Sequence, residues 1–115
     1  LEEKMEALPT DISYGDRKLL DVAIAFALDP ALIMMDEPTS GVATKDKDVI
    51  MQRILETIKK SGVTTIIIEH DMDIVFRYGE RIMVMHEGRV IADGRPEEIR
   101  MNDEVKRVLL GEIHA

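Results

Sequence analysis

Residues 32–39 read Leu-Ile-Met-Met-Asp-Glu-Pro-Thr, an apolar run that ends in two adjacent acids and a proline. Consecutive apolar residues between polar neighbours predict a short strand buried on both faces. Residues 64–68 predict a second buried strand, and Glu69 and His70 follow it. Because ligands bind beyond the carboxyl ends of the strands in open parallel sheets, the residues after both strands form the candidate site.

Helical patterns precede and separate these strands. The spacing of apolar residues predicts one helix over residues 15–28 and an amphipathic helix over residues 44–61 that ends at Gly62. The apolar stripe of the second helix consists of Val49, Ile50, Ile54 and Ile58. The alternation of helix and strand predicts an α/β fold with a mainly parallel sheet covered on both sides.

The last third of the chain predicts a hairpin between helices. Asp71 is placed to cap a helix over residues 72–78. Residues 81–93 form two strand-like runs around a Glu-Gly pair, which is typical of a hairpin. Two short helices follow, and the second is expected to open at Asn102 and to end at Gly111.

Composition excludes several classes of protein. The 115 residues suffice for one small domain or for part of a larger one. The absence of cysteine excludes disulfides, thiolate zinc sites and cysteine nucleophiles, and a net charge of −8 opposes binding to nucleic acid. No apolar run approaches the roughly 20 residues that a membrane-spanning helix needs. Residues 1–8 predict the tail of a helix, and the chain opens at Leu1 without an initiator methionine, so we expect it to be cut from a longer protein.

The two acids after the first strand could have separate roles in a hydrolysis reaction. Neighbouring strand residues point to opposite faces, so Asp36 and Glu37 should differ in duty. One would hold Mg²⁺ through water, and the other would accept a proton from an attacking water. The alternative is an acid pair that only caps the next turn.

His70 could assist the same chemistry from the second strand. A neutral imidazole there could donate a hydrogen bond to a developing anion such as a terminal phosphate. The alternative is a histidine bonded to the backbone. His86 and His114 show no ligand spacing with His70, so a metal site built from histidines is set aside.

Residues 13–15, Ser-Tyr-Gly, immediately precede the first helix. Free amides and the positive end of the helix dipole make such a position an anion site, and the Ser13 hydroxyl adds a donor. The alternative is a plain helix cap, which Asp16 in the first turn favours because an acid already complements the dipole.

Taken together and in order, these segments resemble the ATP-binding subunits of ABC transporters. Residues 12–16 resemble the signature motif, residues 32–37 match the Walker B pattern, residues 40–43 occupy the D-loop, and residues 66–71 match the switch-histidine loop. The resemblance covers essentially the whole chain and is greatest to importers of branched-chain amino acids or of amides such as urea. Residues 1–115 would then form the C-terminal part of one ATP-binding domain of the P-loop ATPase fold, from the signature motif to the C-terminal helices.

The resemblance implies a role for each matching residue. In this family two subunits sandwich two ATP molecules head to tail, each nucleotide lying between one subunit's phosphate loop and the other's signature helix. Asp36 would hold Mg²⁺ through water, Glu37 would act as general base, and His70 would contact the γ-phosphate. The residues implied in binding the nucleotide are Ser13, Tyr14, Gly15, Asp16, Ser40 and Gly41.

The chain also departs from the family pattern. Tyr14 replaces the first signature glycine, and Ala43 stands where many members have an aspartate. No G-x-x-x-x-G-K-[ST] phosphate loop occurs, so we expect the chain alone neither to bind ATP tightly nor to hydrolyse it. The missing strand would leave a gap between the strand before His70 and the strand that starts near Ile82. We expect the gap to be closed by direct pairing of those strands, by another copy, or by a separate N-terminal piece.

The partners implied by the resemblance are a second ATP-binding subunit, transmembrane permease subunits and, indirectly, a solute-binding protein. The location implied is the cytoplasmic side of the inner membrane, as a peripheral subunit. Two alternatives stay open: an ABC ATPase that acts on DNA or ribosomes rather than in transport, and a binding fragment without turnover.

Overall fold

The computed structural model describes residues 14–114, and the side chains of residues 15–110. The expected helix tail at residues 1–8 and the candidate residue Ser13 lie outside the described residues. The chain divides into two compact units, the first ending at Ile74 and the second beginning at Val75. Each unit is described by itself.

The first unit contains two parallel strands joined by a long helix. Strand β1 pairs with strand β2 in parallel, from Leu32 opposite Thr64 to Asp36 opposite Ile68. This order confirms the helix, strand, helix, strand pattern of an α/β fold. The elements are helix α1 (Tyr14–Ala27), strand β1 (Leu32–Asp36), helix α2 (Thr44–Ser61), strand β2 (Thr64–Ile68) and the start of helix α3 (Met72–Tyr78).

Helix α2 ends where the sequence predicts. Gly62 adopts φ 68°, a left-handed conformation that costs a glycine little, and its N–H donates to the Ile58 carbonyl at 2.9 Å. The predicted apolar stripe is wrong by one residue. Ile50, Met51 and Ile54 are buried, whereas the Val49 side chain is 50% exposed, because the buried face of α2 is turned toward Met51.

The parallel pair is buried on one face only. Ile33 and Met35 are buried, whereas Leu32 and Met34, which alternate with them, are 48% and 63% exposed. In β2, Thr64, Ile66 and Ile68 are exposed and the residues between them are partly buried. The prediction that the first strand is buried on both faces is therefore wrong for the described residues, because Leu32 and Met34 lie on an exposed face. The prediction that the second strand is buried is wrong in the same way, since Ile66 and Ile68 are exposed.

The second unit is a hairpin with two helices. Strands β3 and β4 pair antiparallel, with an irregularity between Val84 and Met85. Glu87 and Gly88 join them with φ 49° and 76°, and two consecutive positive φ angles are what the favoured two-residue hairpin turn requires. The elements are the rest of α3, strand β3 (Ile82–His86), strand β4 (Arg89–Gly94), helix α4 (Pro96–Met101) and helix α5 (Asp103–His114).

The core of the second unit is built around Ile82, Ile99 and Val105, all of them buried. Asn102 opens α5 as predicted, because its Oδ1 accepts a hydrogen bond from the Val105 N–H at 3.0 Å. The predicted end at Gly111 is wrong, since α5 continues to His114. A glycine inside a helix costs only about 1 kcal/mol, so it ends a helix only where the chain also turns away.

Strands β2 and β3 belong to different two-stranded sheets in the part of the chain that the structure describes. Direct pairing of these strands would join the two units, and it remains a prediction. A second copy and a separate N-terminal piece remain predictions.

Candidate active site

The candidate site lies at the carboxyl ends of β1 and β2. Asp36 and Ile68 are the last residues of the two strands and are paired in the parallel register. One further hydrogen bond extends this pairing beyond β1, from the Glu37 N–H to the Ile68 carbonyl at 2.7 Å. The residues after both strands, Glu37 and His70 among them, therefore leave the sheet at the same edge.

The structure brings Glu37 and His70 together. Glu37 Oε1 lies 3.5 Å from His70 Nε2, at the outer limit of a hydrogen bond. The Glu37 side chain is 41% exposed and the His70 side chain is 81% exposed. A carboxylate and an imidazole thus meet in an open position, where both can reach a third group.

The two acids differ in backbone conformation. Asp36 is a strand residue, but Glu37 follows the strand with φ 50°, in the left-handed region that non-glycine residues rarely adopt. The expectation that both acids alternate as strand residues is therefore wrong for Glu37. The left-handed turn redirects the chain immediately after β1, while the Glu37 N–H stays bonded to Ile68.

Asp36 is exposed and offers a single carboxylate for a metal ion. Within residues 14–114 no group of three or more histidine, aspartate or glutamate side chains is arranged to hold a metal. Mg²⁺ usually takes only one or two protein carboxylates and fills its other positions with water and substrate phosphates. Asp36 could therefore serve as the protein carboxylate of a magnesium site, in which phosphates and water would supply the other ligands.

The loop after Glu37 is internally hydrogen bonded. The Ser40 N–H donates to the Glu37 carbonyl at 3.0 Å, and the Val42 N–H donates to the Thr39 carbonyl at 3.2 Å. Gly41 adopts φ 79°, which favours glycine at this position. Ser40 and Gly41 are exposed, whereas Thr39 is completely buried.

Thr39 is bonded to Glu69, a contact that the sequence analysis did not predict. Glu69 Oε1 accepts hydrogen bonds from the Thr39 N–H at 3.2 Å and from Thr39 Oγ1 at 2.9 Å. The sequence placed Glu69 at the end of the second strand but assigned it no role. The sequence feature that could have predicted this contact is a hydroxyl residue, Thr39, shortly after one strand and a carboxylate, Glu69, directly after the neighbouring strand.

Asp71, on the other side of His70, caps helix α3 as predicted. Its Oδ1 accepts a hydrogen bond from the Asp73 N–H at 3.1 Å, and its Oδ2 lies 3.0 Å from Lys47 Nζ in α2. The hydrogen bond from Lys47 is the main reason that the pKa of Asp71 lies below its ordinary value. Bonds from the backbone N–H groups of Ile74 and Asp73 act in the same direction, and burial opposes them.

The candidate nucleotide residues of α1 lie in its first turn. The side chain of Tyr14 is not described, and Gly15 lies against α2, where an added Cβ would be 3.2 Å from Ile50 Cδ1. Asp16 is partly buried in the same turn. Lys18, further along α1, donates a hydrogen bond to the Glu37 carbonyl at 3.3 Å. The role of Gly15 that the structure supports directly is close packing of two helices.

Curated proteins with similar sequences are ATP-binding proteins of transport systems. No model of a protein family matches the chain. The high-affinity branched-chain amino acid transport ATP-binding protein LivG of Salmonella typhimurium is 37% identical over 103 residues, which cover 90% of this chain and 40% of that protein. The probable branched-chain amino acid transport ATP-binding protein LivG of Archaeoglobus fulgidus is 40% identical over 111 residues, covering 96% and 43%.

Solved structures of ABC transporter proteins are also similar to this chain. MJ1267 in its ADP conformation, an ATP-binding cassette of an ABC transporter, has a TM-score of 0.75 at 35% identity, covering 88% of this chain and 41% of that one. The cbiO1 protein from Clostridium perfringens, part of the ABC transporter complex cbiONQ, has a TM-score of 0.74 at 37% identity, covering 87% and 40%.

The chain spans about two fifths of the length of the relatives that it matches. None of its described helices is both long enough and apolar enough to cross a membrane. By sequence and by fold, the chain is homologous to part of the ATP-binding cassettes of ABC transporters.

Proposed function

We propose that the chain is part of the ATP-hydrolysing subunit of an ABC importer that drives uptake of a small polar solute such as a branched-chain amino acid. The contact between Glu37 and His70 at 3.5 Å carries the proposal, because it joins two residues whose roles in the family concern the same phosphate. The names of the relatives support the class of solute. The solute itself would contact other subunits.

In the proposed reaction Glu37 accepts the proton of the water that attacks the γ-phosphate of ATP. His70 donates a hydrogen bond to the γ-phosphate as its negative charge grows. Asp36 would hold Mg²⁺ through water, and the ion would neutralise charge on the phosphates when bound. As in other phosphoryl transfers, positioning and charge stabilisation lower the barrier.

The nucleotide itself requires parts that these 115 residues lack. No phosphate loop occurs in the sequence, so the proposed cassette supplies it from residues outside this chain. A second subunit, packed head to tail, would present its own copies of Ser13, Tyr14, Gly15 and Asp16 to the bound ATP. Ser40 and Gly41 are exposed beside Glu37 and would lie near the same nucleotide.

The proposed assembly also defines partners and location. The cassette would dock on transmembrane permease subunits at the cytoplasmic side of the inner membrane and serve a solute-binding protein indirectly. Nucleic acid is not among the partners, given the net charge of −8. The chain by itself would be inactive and would self-associate through the open edge of the parallel pair.

The test of the proposed function is Glu37→Gln in a complete cassette that contains this chain. Loss of the general base should lower ATP turnover by about 100-fold or more, with ATP binding retained. The control is Glu56→Gln, which changes an exposed glutamate of α2 and should leave turnover unchanged. Unchanged turnover in Glu37→Gln would refute the assignment of Glu37.

The inactivity of the chain alone has a separate test. Calorimetry with ATP and Mg²⁺ should detect no binding of the 115-residue chain at micromolar ATP. Micromolar affinity would contradict the proposal that another part of the cassette holds the nucleotide.

A further inference from the structure

Glu69 is held by a residue that solvent does not reach. Its Oε1 accepts two hydrogen bonds from Thr39, one from the N–H and one from the hydroxyl, and Thr39 is 0% exposed. Hydrogen bonds to a carboxylate are stronger than those between neutral groups. Glu69 therefore joins the loop after β1 to the loop after β2, across a separation of 30 residues in the chain.

This bond is one of two that join the loops beside the candidate catalytic pair. The Glu37 N–H donates to the Ile68 carbonyl at 2.7 Å, at the base of the two loops. Thr39 lies two residues after Glu37, and His70 directly follows Glu69. Residues 37–39 and 68–69 are thus cross-linked twice, and His70, which directly follows the second cross-link, lies 3.5 Å from Glu37.

The two neighbours of His70 are anchored while His70 itself is open. Glu69 is bonded to Thr39, and Asp71 is bonded to Lys47 and to the first turn of α3. The His70 side chain remains 81% exposed. The loop is therefore fixed through its flanking carboxylates, and its imidazole is left accessible to a ligand.

The geometry also argues against a direct chemical role for Glu69. One of its oxygens already accepts two hydrogen bonds, and its residue is only partly exposed. Glu37, by contrast, has its carboxylate beside His70 and adopts a left-handed backbone that needs support from its surroundings. The hydrogen bonds between Thr39 and Glu69 supply that support.

We propose that Glu69 is a positioning residue that acts through Thr39 to hold Glu37 beside His70. The importance of Glu69 for catalysis rests on the proposed function. Its effect on the position of Glu37 does not, because that position is a property of this chain without ATP. Removing the acceptor from residue 69 should release the loop that carries Glu37 and separate the two side chains.

The test is nuclear magnetic resonance on the 115-residue chain. In Glu69→Ala, exchange of the Thr39 amide proton should accelerate by about 10- to 100-fold, as expected for loss of a hydrogen bond to a charged group. The cross-relaxation signal between the Glu37 side chain and the His70 ring should disappear. Glu69→Gln keeps an acceptor oxygen and should restore both signals, and Glu56→Ala on exposed α2 should change neither.

A signal between Glu37 and His70 that persists in folded Glu69→Ala would overturn the proposal. If Glu69→Ala does not fold, Thr39→Val and Thr39→Ser decide instead. The serine keeps the hydroxyl donor and should keep the signal, whereas the valine keeps the shape and should weaken it. Equal signals in these two variants would overturn the proposal.

An enzymatic measurement separates this inference from the proposed function. In a complete cassette, Glu69→Ala should lower kcat while the KM for ATP stays unchanged, and Glu69→Gln should recover most of the rate. If the complete cassette has no ATPase activity but the resonance signals of the 115-residue chain respond to Glu69→Ala as expected, the proposed function is refuted and the positioning role is supported. Intact kcat in Glu69→Ala would refute the positioning role alone.

Discussion

The two pairs of strands in this chain are held in register by different means. A two-residue turn joins β3 to β4, so neighbours in sequence set the pairing of the hairpin. Strands β1 and β2 are connected through the 18-residue helix α2 and a loop on either side of it, so no tight turn sets their register. At their carboxyl ends, hydrogen bonds from Glu37 to Ile68 and from Thr39 to Glu69 hold them instead. The candidate site thus lies where the arrangement of the two strands depends on hydrogen bonds between residues that are distant in sequence.

The largest expected effect concerns the helix that connects the parallel strands. Ile54 of α2 is completely buried, so Ile54→Ala should lower the free energy of unfolding by about 2–5 kcal/mol. Val49→Ala, in the same helix at 50% exposure, should change it by less than about 0.5 kcal/mol. Urea denaturation followed by circular dichroism measures both. Equal losses would mean that α2 buries a different face in solution.

An intermediate effect is expected in the hairpin turn. Gly88 has φ 76°, so Gly88→Ala should destabilise the chain by about 1–2 kcal/mol. Glu87 has φ 49°, a conformation that asparagine adopts more readily, and Glu87→Asn should raise stability by a few tenths of a kcal/mol, roughly. Opposite shifts of the thermal midpoint for the two variants would support local control of this pairing. A shift of the same sign in both would contradict it.

The smallest effect concerns one ion pair in each unit. The hydrogen bond from Lys47 lowers the pKa of Asp71, and the hydrogen bond from Arg81 lowers the pKa of Asp93. A carboxylate with a lowered pKa stabilises the fold above its ordinary pKa of 3.8, and this contribution is lost as the pH falls through the folded value. Lys47→Met should therefore cost less than about 1 kcal/mol at neutral pH, and the difference should vanish in acid.

Titration of the two aspartates by nuclear magnetic resonance checks this prediction. Lys47→Met should raise the pKa of Asp71 and leave that of Asp93 unchanged, and Arg81→Met should do the reverse. A gap in stability between wild type and Lys47→Met that persists below the folded pKa of Asp71 would show that Lys47 acts through packing.

Local chemistry explains what the sequence could predict. Gly62, the Asp71 cap and the turn at residues 87–88 are each decided by a few neighbouring atoms, and the structure has all three where the sequence placed them. The acids after β1 and the histidine after β2 could also be assigned to one edge, because parallel strands end together.

Long-range packing explains the rest. Which face of α2 is buried depends on its neighbours in space, so the sequence favoured Val49 where the structure buries Met51. The bond from Thr39 to Glu69 depends on the path of a loop that begins with a left-handed residue at Glu37, and a single sequence does not reveal that path.

The left-handed backbone of Glu37 has a consequence for protein engineering. Glycine adopts φ 50° without the penalty of roughly 1 kcal/mol that other residues incur, and asparagine tolerates it better than glutamate. A library selected for heat resistance alone would therefore enrich for glycine or asparagine at position 37. The selected variants would be more stable but would lack the carboxylate beside His70. Glu37 should therefore be kept unchanged in such a library.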